Sequence, residues 1–295
     1  MTGLGIILSL ACALLTNVAF LCKHRGAVAA PAMTARRPLK SIAGLFGSRW
    51  WATGYGIGVV AWALHAGALT IAPLSLVQVV IAGGLVLLAL PAERWFGFEL
   101  GRREWTGLIL SAVGLAFLML TASGGSHDGS GYSTSAMIAF EGGALGIGLG
   151  LLLSGRSERI QSRLPALLGA ASGLLIGVSD VAVKALADSV PSDLGAILSP
   201  WTATAILASI LALYALGRAL QTGGAIGVIA LSSVAANLAA ITGGIIVFGD
   251  SVGSDALGIV ARGVAFAAVI LAAGLVQGPV RAANALAGAE PGPRR

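Results

Sequence analysis

Nine stretches of this 295-residue chain are long and apolar enough to cross a bilayer, and no other feature restricts its fold so severely. A spanning helix needs about 20 mainly apolar residues, and the runs that satisfy this are Gly3–Cys22, Trp50–Ala72, Pro73–Pro91, Glu104–Thr121, Thr134–Leu153, Pro165–Ala187, Pro200–Gly217, Gly223–Phe248 and Ala256–Gln277. Within hydrocarbon every backbone polar group must find its partner inside the protein, which a helix does within its own segment. The expected class is therefore an all-α polytopic membrane protein with about nine transmembrane helices. Composition agrees: 57% of residues are hydrophobic and 10% charged, against about 25% charged in a soluble domain.

The loops set the topology. Lys23, Arg25, Arg36, Arg37, Lys40 and Arg49 follow the first run, Arg94, Arg102 and Arg103 the third, Arg156, Arg159 and Arg163 the fifth, Arg218 the seventh, and Arg281, Arg294 and Arg295 the last. If all nine runs cross, these residues share one side. The opposite loops hold Asp128, Asp188, Asp193, Asp250 and Asp255 and neither Lys nor Arg. Short loops rich in Lys and Arg stay cytoplasmic, so the expected location is the plasma membrane, with the N-terminus outside and the C-terminus in the cytoplasm. The net charge of +6 then reflects orientation, and no nucleic-acid partner is expected. Lys23-His24-Arg25 comes after the first apolar run instead of before it, which predicts a retained helix and not a cleaved leader. Cys12 and Cys22 are too far apart along one helix for a disulfide. Fifteen arginines against three lysines in an Ala- and Gly-rich chain point to a bacterial source with a GC-rich genome.

A Gly/Ser-rich external linker over 123–133 divides four helices, within 1–122, from five, within 134–278, and a cytoplasmic tail occupies 279–295. The first half contains a hairpin that starts inside, and the second a comparable hairpin that starts outside. Two inverted-repeat-like halves are therefore expected, a transporter plan in which the substrate site lies at the repeat interface. Gly142, Gly146 and Gly150, then Gly169, Gly173 and Gly177, each form a stripe of small residues at helical spacing, the signature of close helix packing in lipid. Gly54 and Gly58 repeat it.

No phosphate-binding Gly-Lys-Ser/Thr loop, His-Glu-x-x-His pair, Gly-x-Ser-x-Gly elbow or Cys-x-x-Cys pair is present, so neither catalysis nor a cofactor is expected. The chemistry left within the spans is ionisable. Glu141, Asp180, Lys184 and Arg262, with His65, all fall in the outer half of the membrane under the topology above. A charge at the bilayer centre costs at least about 2.5 kcal/mol, which leaves two readings open. Asp180 pairs with Lys184 and Glu141 with Arg262 as helix locks, or the set lines a polar cavity that binds substrate or relays a proton. Asn17, Gln78 and Asn237 lie deeper, as secondary polar lining or as hydrogen-bond glue. The expected partners are a small-molecule substrate and the lipid bilayer, with a homodimer allowed.

The run from Trp50-Trp51 through Ala68-Leu69-Thr70-Ile71-Ala72-Pro73-Leu74-Ser75-Leu76-Val77-Gln78, then Glu93 and Glu104-Trp105-Thr106-Gly107, resembles the drug/metabolite transporter (EamA-like) superfamily. Lys23-His24-Arg25-Gly26, Gly177 through Lys184, and Val247-Phe248-Gly249-Asp250 extend the likeness along nearly the whole chain, toward a nine-helix branch similar to NIPA-type magnesium transporters. Ile229-Ala230-Leu231, where a proline is usual, and Asp250, where Glu is usual, depart from the pattern. The resemblance implies a secondary transporter with inverted repeats. For the cargo it leaves a small polar, zwitterionic or amphiphilic metabolite or drug, with Mg²⁺ and a lipid-linked sugar as alternatives. The mixed signs of the intramembrane charges favour an organic cargo over a bare dication.

Overall fold

A computed structural model of the chain describes residues 2–34, 37–71, 74–122, 132–154, 158–189, 198–249 and 256–276. The expected linker at 123–131, the turn at Ala72-Pro73, Asp250 and the tail beyond 276 lie outside the described residues. Eleven α-helices are present among the described residues: α1 Thr2–Ala29, α2 Pro38–Phe46, α3 Arg49–Ile71, α4 Leu74–Gly83, α5 Ala89–Phe96, α6 Arg102–Ala122, α7 Thr134–Ser154, α8 Leu164–Ser189, α9 Pro200–Thr222, α10 Ala225–Phe248 and α11 Ala256–Leu275. Six segments are by length and composition able to cross a membrane: Gly3–Ala29, Thr134–Ser154, Gln161–Leu186, Pro200–Thr222, Ala225–Phe248 and Gly258–Leu275. The protein is thus an all-α membrane protein.

Three elements differ from the sequence reading. The first helix runs seven residues past Cys22, through Lys23-His24-Arg25 to Ala29. The charges continue the helix because each is packed: Lys23 Nζ lies 4.2 Å from the Tyr55 ring centroid, Arg25 4.2 Å from that of Trp50, and the His24 Nδ1–H donates to the Leu220 carbonyl at 3.2 Å. The basic loop carries an unforeseen short helix, α2, with Pro38 in its first turn where a missing N–H is harmless.

The expected third span is broken into α4, a 3₁₀ turn at Gly84–Leu88, and α5. The break has a visible cause. The Asn17 side-chain amide of α1 donates to the Gly84 carbonyl at 2.9 Å, and a Cβ at Gly84 would collide with the Ala13 side chain. A neighbouring helix that approaches this closely and takes a backbone carbonyl favours the tighter local winding. α5 then stops at Gly97, whose φ of 69° is left-handed, with the Phe98 N–H reaching back to the Ala92 carbonyl at 3.0 Å.

Helix directions follow from close approaches. α3 runs antiparallel to α1: a Cβ at Gly54 would lie 2.7 Å from the Ala19 carbonyl oxygen, and one at Gly26 would strike the Trp51 backbone. α6 is antiparallel to α11, through Gly107 against the Ala272 carbonyl and Gly114 against Val269. α8 is parallel to α10: Gly169 meets Val228, Gly173 meets Ser232 and Ala236, Gly177 meets Ala239, and Val181 covers Gly243. α9 returns beside α8, tied by the Ser179 hydroxyl at 3.3 Å from the Ala205 carbonyl and 2.9 Å from the Ser209 hydroxyl.

The second glycine stripe is therefore a packing surface, as expected. The first is not: Gly142, Gly146 and Gly150 are exposed with nothing within 4 Å of an added Cβ, and it is Gly148 that seats Leu175. Gly58 of α3 is likewise open. Burial of Met137, Phe140, Glu141, Ala144 and Gly148 explains the difference, because this set marks the inward face of α7 and the stripe lies off it.

The halves share one core. Leu21, Trp51 and Leu108 pack with Leu168, Ile229 and Val269, and a second cluster forms around Met137, Phe140, Val178, Ala205 and Val247. Gln221 clamps the halves at the basic end: its Nε2 donates to the Ala27 and Pro31 carbonyls at 2.9 and 3.1 Å, and its Oε1 accepts from the Met33 N–H at 2.9 Å. Both cysteines are free and buried.

Candidate functional site

Where the halves meet, a partly open cavity of about 180 Å³ penetrates the bundle. α1 supplies Ala13, Thr16, Asn17 and Phe20; α4 and the 3₁₀ turn supply Ile81, Ala82, Gly84 and Leu85; Leu115 comes from α6 and Ile176 from α8; and α10 supplies Ser232, Ser233, Ala236 and Asn237. The lining is apolar with a few polar groups, the usual makeup of a small-molecule site.

The polar groups are oriented by their neighbours. A backbone carbonyl only accepts, so the Asn17 nitrogen must face Gly84, and the Asn237 nitrogen must face the Ser233 carbonyl at 2.8 Å. Both amide carbonyl oxygens are then left without a hydrogen bond among the described residues. The Ser232 hydroxyl, 1% exposed as a residue, likewise has no partner. The cavity lining thus offers two amide acceptors, the hydroxyls of Thr16, Ser232 and Ser233, and no charge. It is suited to a solute that presents N–H or O–H donors and carries a modest apolar body.

The charged candidates are elsewhere, and they do not converge. α3, which bears His65, packs on α1, α2 and α4; α11, which bears Arg262, packs on α6 and α10; α7 and α8 pack on one another and on α9 and α10. His65 is half-buried with Nε2 unpartnered. Arg262 donates from Nη2 to the Thr121 carbonyl at 2.9 Å, at the C-terminal turn of α6 where carbonyls lack helical partners, while Nε and Nη1 are buried without partners. Neither expected ion pair is present. Glu141 does not meet Arg262. Asp180 is exposed and unpaired, and Lys184 turns from it to place Nζ 4.0 Å from the Phe248 ring centroid. A cation over an aromatic face is attracted by the ring's quadrupole, and Phe248 lies on the helix that α8 packs against. Only the backbone of Gln78 is described.

This geometry predicts the outcome of a double-mutant cycle. With no contact between the two groups, Asp180→Asn and Lys184→Met should change unfolding free energy additively, to within about 0.5 kcal/mol. Denaturation of the four purified proteins measures this, and a coupling above about 1 kcal/mol would reveal an ion pair after all.

Sequence reasoning ranked the charges above the amides and overlooked Thr16, Ser232 and Ser233. A usable signal existed. Thr16-Asn17 and Ser232-Ser233 with Asn237 are the places where polar residues cluster inside otherwise apolar runs of α1 and α10, and polar groups at membrane depth are kept where they have something to bind. Family models, curated proteins and solved structures yield no match to this chain.

Proposed function

We propose that this protein is a secondary transporter of the drug/metabolite type, carrying a small polar, zwitterionic or amphiphilic solute across the plasma membrane through the cavity between its halves. The reading rests on one observation above the rest: Asn17 of α1 and Ser232 and Asn237 of α10, from opposite halves, line one cavity with two amide oxygens and a buried hydroxyl to which no hydrogen bond is made among the described residues. Groups left unpaired at membrane depth are costly, and a solute with hydrogen-bond donors satisfies them.

In this reading the chain crosses nine times with its N-terminus outside, the broken α4–α5 unit forming the third crossing. Two features support it. α8 and α10 run parallel whereas α6 and α11 run antiparallel, as alternate crossings require. The described Lys and Arg of the loops also gather at one end, where the end of α1 meets the end of α9 and the start of α3. Rocking of one half against the other about the cavity would expose Asn17 and Asn237 to each side in turn.

Magnesium fits this cavity less well. Mg²⁺ is usually held by one or two carboxylates besides water, and the cavity lining has none. Ligand-induced thermal stabilisation of the purified protein across amines, amino acids, polyols and Mg²⁺ tests the assignment. A donor-bearing organic solute at about 100 times its Kd should add about 2.7 kcal/mol of stability, and proteoliposomes should then accumulate it down an imposed gradient without ATP. Stabilisation by Mg²⁺ alone would replace the organic cargo with the cation, and a strict need for ATP would end the secondary-transport reading.

A further inference from the structure

α2 is too short to cross a bilayer, and yet its outward face is apolar. Its nine residues extend about 13 Å, against about 30 Å of hydrocarbon. Leu45 is buried and Ile42 half-buried, and a Cβ at Gly217 of α9 would lie 2.6 Å from the Leu45 Cδ1, so this side of α2 is seated on the second half of the molecule. Leu39, Ala43 and Phe46, at i, i+4 and i+7, form an adjoining stripe. All three are exposed, Leu39 by 70% and Phe46 by 46%. A helix this short is marginal in water by itself, and an apolar stripe left in water gains nothing from burial.

The position of α2 puts that stripe at the membrane boundary. α1 ends at Ala29 beside the start of α3, where a Cβ at Gly26 would strike the Trp51 backbone, and α2 connects the two at this end of the bundle. Its first turn is tied down by the Ser41 hydroxyl, which accepts from the Thr34 N–H at 3.1 Å and donates to the Arg37 carbonyl at 3.0 Å. Charge then names what covers the stripe. Residues 23–49 include six Lys or Arg and no Asp or Glu. Arg37, Lys40 and Arg49 are exposed at the two ends of α2, and the Arg25 guanidinium lies 4.2 Å from the Trp50 ring centroid. The helices on which α2 packs, α3 and α9, contain no acidic residue. An apolar stripe flanked by cations matches a surface with hydrocarbon beneath and negative charge at the level of the headgroups.

We propose that α2 is an interfacial helix bedded in the leaflet at the basic end of the bundle, with anionic phospholipid as its occupant. Leu39, Ala43 and Phe46 meet the acyl chains, and Arg37, Lys40 and Arg49 meet the phosphates. The inference needs the membrane assignment and not the transport reading. Lipid held there also secures the junction between the halves, since Leu45 of the same helix is seated on α9.

A bimane fluorophore attached through Leu39→Cys tests this in the full chain. The protein is reconstituted into phosphatidylcholine vesicles with a minority of phosphatidylglycerol, and the acyl chains of one lipid or the other carry bromine as quencher. Brominated phosphatidylglycerol should quench more than its share of the bilayer predicts. One Lys or Arg at an anionic surface is worth about fivefold in partition, so Arg37→Gln combined with Lys40→Gln should remove the excess. High salt should do the same without any further substitution, which keeps the test valid where a variant folds poorly. Arg102→Gln with Arg103→Gln, at the start of α6, should leave the excess in place. Bimane at Val60→Cys, exposed three turns into α3, should be quenched by both lipids in proportion to their amounts. No quenching at position 39 would put α2 in water or against another protein and overturn the proposal. Quenching there in mere proportion to lipid amount, or an excess lost equally with Arg102 and Arg103, would overturn it too, and none of these outcomes touches the transport reading.

Discussion

Gly173→Val should leave little correctly folded protein, while Gly146→Val should be close to silent. A Cβ at Gly173 would collide with the Ser232 carbonyl oxygen and stand 2.7 Å from the Ala235 Cβ and 2.9 Å from the Ala236 nitrogen. Two of those three obstacles are backbone, which cannot rotate aside, so α8 and α10 would have to separate along a contact that carries much of the second half. Overpacking of a tight interface costs about 1–3 kcal/mol and sometimes more. A fall in melting temperature of roughly 5 °C or more, or loss of a monodisperse preparation, is expected. Gly146 faces outward with nothing within 4 Å, so a side chain there meets no other part of the described protein. Equal melting temperatures for the two variants would refute the close α8–α10 packing.

The same pair of glycines shows how far a sequence can be read. Gly142, Gly146 and Gly150 have the spacing of Gly169, Gly173 and Gly177, and nothing local separates them. What separates them is the buried set at Met137, Phe140, Glu141, Ala144 and Gly148, which aims α7 so that its stripe points away from α8 and α10. Hydropathy located the long helices because the cost of an unpaired backbone in lipid acts on each segment alone. It did not locate the break at Gly84–Leu88, since that break depends on the Asn17 amide and the Ala13 methyl, residues some 70 positions away in the chain. The extension of α1 through Lys23-His24-Arg25 was hidden for a related reason. Those charges are accommodated by Tyr55, Trp50 and Leu220 on other helices.

For the site, the ionisable residues were conspicuous because charge is rare within the spans, but rarity does not imply proximity. Asp180 and Lys184 share a helical spacing and still do not pair; the ammonium lies over Phe248 of α10 instead. Asn17 and Asn237 are individually ordinary, and only the fold brings them to one cavity.

Substitution of those two amides should weaken solute binding alike and stability unequally. In Asn17→Leu the Gly84 carbonyl loses the donor that holds it at 2.9 Å from another helix. That carbonyl keeps the i→i+3 bond of its 3₁₀ turn, so what is lost is one hydrogen bond between helices, about 0.5–1.5 kcal/mol, and the variant should melt a few degrees lower as α1 loosens from the broken helix. In Asn237→Leu the carbonyl left behind is that of Ser233, four residues earlier in the same helix, where the backbone N–H of residue 237 already serves it through the regular α-helical bond. That variant should melt near the wild type. Each substitution nevertheless removes one of the two amide oxygens presented to the solute, and a donor on the solute left unmatched costs a further ~1–3 kcal/mol of binding, about 5- to 150-fold in Kd. Isothermal titration with the solute identified by thermal stabilisation, together with melting curves for both variants, separates the two effects. Unchanged affinity in Asn237→Leu at wild-type stability would remove α10 from the binding site and with it the placement of the solute between the halves.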